Sequence, residues 1–71
     1  MKIVITLTDG KEYIVHTDSI IDGKKFNTTD EIINYITSCS FSSFIKLEYK
    51  TNIKTSYISV MQICHIEVKI A

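Results

Sequence analysis

Residues 2–16 read KIVITLTDGKEYIVH, and the Asp9-Gly10 step inside this stretch decides the fold. Before it, Ile3, Ile5 and Leu7 alternate with Val4, Thr6 and Thr8, the period of a strand whose two faces meet different surroundings. After it, Lys11 to His16 carries Tyr13, Ile14 and Val15. An Asp-Gly step between two such runs is a strong hairpin signal, because glycine accepts the positive φ that the turn needs. Two registers are open. A two-residue turn sets Ile14 opposite Ile5, whereas a three-residue turn with a glycine bulge sets Tyr13 there. They differ in which face of the second strand turns inward.

Beyond this hairpin, residues 17–27 (TDSIIDGKKFN) are polar, contain a second Asp-Gly, and read as a connector with Ile20, Ile21 and Phe26 tucked against the core. A helix is expected over residues 28–40. Thr28 and Glu31 form a capping box, and Asp30 and Glu31 sit where the helix dipole favours acids. Ile32, Tyr35, Ile36 and Cys39 then share one stripe at helical spacing. From Phe41 the period is two again. A turn at Thr51-Asn52 sets Ile45 opposite Ile58 on the inside and Lys46 opposite Tyr57 on the outside. Val60 to Ile63 breaks the alternation as a bend or single 3₁₀ turn, and a last strand follows with Cys64, Ile66, Val68 and Ile70 inward. The order is β-β-α-β-β-β: one domain over residues 1–71, α+β and mainly β. The expected shape is a small bent sheet or a partly open barrel of the SH3, Sm or OB type, with a flatter α+β sheet as the competing arrangement. The expected core is Ile3 or Val4, Ile36, Ile45, Leu47, Ile58, Ile66 and Val68.

Composition agrees with that vocabulary. The chain has 14 Ile, four Val and eight Thr against two Leu and one Ala, and β-branched side chains fit a pleated surface better than a helix. Hydrophobic residues make up 45% and charged residues 23%, which describes a folding chain and not a disordered one. Eight Lys balance eight Asp and Glu, so no overall attraction to nucleic acid or anionic lipid exists. Arg is absent, which removes the forked cation that usually anchors phosphate or base recognition. Lys2 and the polar Thr6 and Thr8 leave too short an apolar run for a secretion signal, and no stretch approaches the ~20 apolar residues of a membrane span. Two cysteines allow one bridge at most, so free thiols and a cytoplasmic location are expected.

Chemistry-bearing residues are few. His16, Cys39, Cys64 and His65 are metal-ligand types without metal-ligand spacing, and buried structural thiols with surface histidines account for them better. Cys64 and His65 alternate on one strand, too divergent for a nucleophile–base pair. Both glycines lie in Asp-Gly turns, so no phosphate-cradling loop is present. Neither an enzyme nor a cofactor is expected.

Two surfaces remain. Phe44, Lys46, Lys50, Lys54 and Tyr57 set aromatics among lysines on the third-to-fourth strand hairpin, the chemistry that stacks single-stranded bases over a positive groove. Against this, outward lysines ordinarily keep a sheet soluble, and residues 9–31 carry six acids to three lysines. A protein-binding face is the better use of Phe44 and Tyr57. The second surface is the run ICHIEVKI, residues 63–70, with Ile66, Val68 and Ile70 on one side and one lysine to discourage pairing. A domain this small without disulfides or metal is marginal alone. Self-association through this strand into a homodimer is therefore expected, with closure onto the first strand as the alternative.

The segments ITLTDGKEYIV (5–15), TTDEIINYI (28–36) and YISVMQICHIEV (57–68) resemble the small Ile- and Lys-rich β proteins of low-GC Gram-positive bacteria and their phages. The resemblance spans most of the chain, carries no functional motif, and assigns no site residue. It implies a cytoplasmic accessory protein, and for a phage product one that binds and blocks a host protein. The reading is a small non-enzymatic protein-binding or self-assembling module, with a single-stranded nucleic-acid binder as the alternative.

Overall fold

A computed structural model describes residues 1–49 and 52–70, apart from the side chains of Asn52 and Ile53. Strands β1 (Lys2–Leu7) and β2 (Glu12–His16) form the opening hairpin. Ile5 pairs with Tyr13 and Ile3 with Val15, so the glycine-bulge register is the one adopted. Gly10 at φ 88° donates to the Leu7 carbonyl at 2.9 Å, and the Leu7 amide donates to the Lys11 carbonyl at 2.8 Å. The Asp9 carboxylate fastens the loop by accepting from the Lys11 amide. Val15 therefore turns into the core, and Ile14 turns out.

The second Asp-Gly corrects the expectation of a plain connector. Ile20–Ile21 (β3) and Lys24–Lys25 (β4) form a miniature hairpin around Asp22-Gly23, both at positive φ, as a two-residue primed turn requires. The helix α1, Thr29–Thr37, lies within the expected span. Thr28 caps it by accepting from the Glu31 amide at 3.2 Å, while the Glu31 carboxylate accepts from the Thr28 hydroxyl. It ends where Thr37, Ser38 and Cys39 turn their side chains onto the carbonyls of the last turn. Strands β5 (Phe44–Tyr49) and β6 (Asn52–Ser59) pair as anticipated, Ile45 opposite Ile58 and Lys46 opposite Tyr57. The expected Thr51-Asn52 turn falls partly outside the described residues. A 3₁₀ turn at Val60–Gln62 leads to β7 (Ile63–Lys69).

The class is α+β, mainly β. Its strands form two antiparallel sheets, β2-β1-β7 and β4-β3-β5-β6, and α1 contributes Ile32 and Ile36 to the core. The fully enclosed side chains include Ile3, Ile5, Ile21, Ile45, Leu47 and Ile58. Three expectations for β7 change. Leu7 pairs with Ile63 and Thr6 with His65, so Cys64 is an inserted bulge residue. Ile63 takes the inward place and Cys64 is exposed. Val68 lies opposite the buried Ile3 but stays 42% exposed because the core stops short of it, and Ile70 is 83% exposed.

Candidate functional site

The aromatic face on β5 and β6 forms in part. Phe44 and Tyr57 are 61% and 63% exposed, and Lys46 lies directly opposite Tyr57. Its ammonium is 3.7 Å from the Glu48 carboxylate on the same strand, which neutralises it locally. Lys54 is exposed but alternates with Thr55 and Tyr57, so it stands out of phase with the aromatic row. Lys50 lies outside the described residues. Among the described residues the structure thus brings together two aromatics and one lysine already facing an acid, without the run of cations that a nucleic-acid groove uses.

The sheet edges differ more from one another. At β2 the outward-facing backbone is covered: Ser19, itself buried, accepts from the His16 amide at 3.1 Å and donates its own amide to the His16 carbonyl at 3.0 Å. The Tyr49 hydroxyl donates to the Ile14 carbonyl at 3.0 Å. At β4 the edge is two lysines long, and at β6 it carries Lys54, Thr55, Ser56 and Tyr57. Short, charged and polar edges resist strand addition. Strand β7 runs for seven residues, and its His65, Glu67 and Lys69 alternate with the apolar Ile66 and Val68. It pairs with β1 on one side, and among the described residues no strand pairs with the other.

Which backbone groups it offers follows from alternation. The Leu7 amide points to β2, so odd residues of β1 face β2 and even residues face β7. Val4 and Lys2 pair with Glu67 and Lys69, which therefore turn their amides and carbonyls to β1. Ile66 and Val68 turn theirs to the free edge. Beside this edge runs an apolar groove of about 420 Å³, walled by Ile36, Cys39, Phe41, Val60, Ile63 and Ile66, with Cys64 and His65 also lining it. Both thiols are free, and burial pushes the Cys39 thiol above its ordinary pKa, so it stays protonated at neutral pH. Sequence reasoning found Ile66, Val68 and Ile70 but not the groove, because its walls come from the helix end, the 3₁₀ turn and the bulge together.

A further cluster is structural. The Asp22 carboxylate accepts from the Lys46 amide at 2.8 Å and from the Tyr35 hydroxyl, while the Asp22 amide donates to the Lys46 carbonyl at 2.9 Å. One oxygen thereby continues the β3–β5 ladder past the end of β3. The hydrogen bond to Asp22, then burial and the carboxylate charge, push the Tyr35 pKa up to about 12. Phe26 packs on the Tyr35 ring at 5.3 Å, and the Lys24 ammonium lies 5.1 Å from its centroid. Among the described residues no group of three His, Cys, Asp or Glu is placed to hold a metal ion, and no helix is long and apolar enough to cross a membrane. No protein-family model, curated protein or solved structure matches the chain.

Proposed function

We propose that this chain is a non-enzymatic protein-binding module whose working surface is the free edge of β7 and the groove beside it. One observation carries the reading: among the described residues no strand pairs with the outer edge of β7, where Ile66 and Val68 present their backbone groups, while the β2 edge is closed by Ser19 and Tyr49. An extended segment of a partner adds to such an edge by main-chain hydrogen bonds, and an adjoining pocket selects its side chains. Free thiols at Cys39 and Cys64 suit a reducing compartment such as the cytoplasm. The Lys46–Glu48 pair argues against single-stranded nucleic acid on the Phe44/Tyr57 face.

The test is a displayed library of random octapeptides panned against the protein. The expected binders protect the Ile66 and Val68 amides from hydrogen exchange and are lost in Val68→Pro, which removes an edge-facing donor from a half-exposed position. Binders that protect residues 44–59 instead overturn the proposal, as does panning that yields no binder to a chain that sediments as a monomer. So does a labelled oligonucleotide that binds tightly, weakens steeply between 50 and 200 mM salt, and is lost in Tyr57→Ala.

A further inference from the structure

Resting on that edge-strand reading, we infer that the occupant of the β7 edge is a second copy of the same strand, paired antiparallel about a two-fold axis at Val68. In this register Ile66 faces the partner's Ile70, Val68 faces its own copy, and Glu67 faces the partner's Lys69.

Charge selects the register. Within the chain Lys69 lies directly opposite Lys2, a like-charge cross-strand pair. A two-fold at Val68 brings a carboxylate to the other side of each Lys69, so the row reads Lys2, Lys69, then the partner's Glu67. A two-fold at Glu67 would set the two Glu67 carboxylates against each other and His65 against Lys69. A two-fold at Ile66 would match Glu67 with His65, leave Lys69 facing Ile63, and carry Ile70 past the end of the pairing.

The Val68-centred register also accounts for the exposed apolar residues. Ile66 and Val68 present their backbone groups to the free edge, so the Val68–Val68 and Ile66–Ile70 pairs each exchange amide and carbonyl. Ile66, Val68 and Ile70 share one face of the strand by alternation. Since Ile66 lines the groove, the partner's Ile70, 83% exposed in the single chain, arrives at the groove's open side near Ile36 and Ile63. Two-fold symmetry repeats the insertion on the other copy, so each groove is completed by its partner.

Sedimentation equilibrium of the full chain between 1 and 100 µM gives the first reading: a dimer is expected, and a single-chain mass throughout overturns the inference while octapeptide panning still decides the edge-strand reading. The register is read by Val68→Cys in a Cys39→Ser background with Cys64 kept. Paired positions about 5.5 Å apart lie within the span of a disulfide, so mild oxidation should give a 68-to-68 bridge on peptide mapping. A 68-to-64 bridge would move the axis to Ile66 and overturn the register, as would no bridge at all. Independently, Glu67→Lys and Lys69→Glu should each weaken the dimer about tenfold, and the double exchange should restore it to within about threefold. A double variant weaker than either single one overturns the pairing.

Discussion

Replacing Asp22 with alanine removes one carboxylate from three elements at once. The Lys46 amide, part-buried on β5, loses the acceptor that stands in for the missing strand residue. An unsatisfied buried donor costs roughly 1–3 kcal/mol. The Tyr35 hydroxyl loses its partner, about 1 kcal/mol more. Asp22 also sits at φ 53°, where alanine pays about 1 kcal/mol that Asp and Asn largely escape. Together Asp22→Ala should cost about 3–5 kcal/mol, which for a domain this small lowers Tm by roughly 12–40 °C. Asp22→Asn keeps one acceptor oxygen and tolerates the backbone, so it should cost about 1 kcal/mol. Urea unfolding followed by circular dichroism measures both. Absorbance titration of the tyrosines adds a second readout: the Tyr35 transition near 12 should fall in Asp22→Ala, because its largest cause has gone. Asp22→Ala within about 0.5 kcal/mol of wild type, or Asp22→Asn as damaging as Asp22→Ala, would refute the bridging role.

The same tyrosine sets an alkaline limit. Its pKa rises from about 10 unfolded to about 12 folded, so its contribution is complete below pH ~10 and lost as pH climbs towards 12; the urea midpoint should fall more steeply over that window in wild type than in Tyr35→Phe. Gly10→Ala should cost about 1 kcal/mol from its φ of 88° alone, since a Cβ there meets nothing within 4 Å; a cost above about 3 kcal/mol in thermal melts would point to a contact the loop does not show. Phe44→Ala and Tyr57→Ala should each change stability by less than about 0.5 kcal/mol and leave sedimentation unchanged, as both side chains stand in solvent away from β7.

How far the fold was legible depended on period length. Strands β5 and β6 alternate over several residues, so the pairing of Ile45 with Ile58 followed from pattern alone. The first hairpin left two registers because Asp9-Gly10 serves either turn, and the choice rests on the loop bonds of Leu7, Gly10 and Lys11. Strands β3 and β4, two residues each, have no period to read. Their hairpin is held by Asp22 reaching Lys46 and Tyr35, both distant in sequence. For β7, alternation gave the shared side of Ile66, Val68 and Ile70 but not whether anything covers it, and the Cys64 bulge reversed the facing of the strand's first residues. Edge protection was equally hidden, since Ser19 looks like any loop serine until His16 is seen beside it.

The pairing of β1 with β7, Lys2 opposite Lys69, has a kinetic consequence. The opening hairpin is local and zips within microseconds, but its sheet stays one strand short until nearly the whole chain has been gathered. Bringing such distant segments together carries a loop-closure cost before any contact rewards it, and non-local pairing of this kind slows folding. On the ribosome, β1 would wait with its inner side bare while β5, β6 and the 3₁₀ turn are still being made. Between synthesis of β1 and arrival of β7, the even residues of β1 keep their amides and carbonyls turned to the place that β7 later takes.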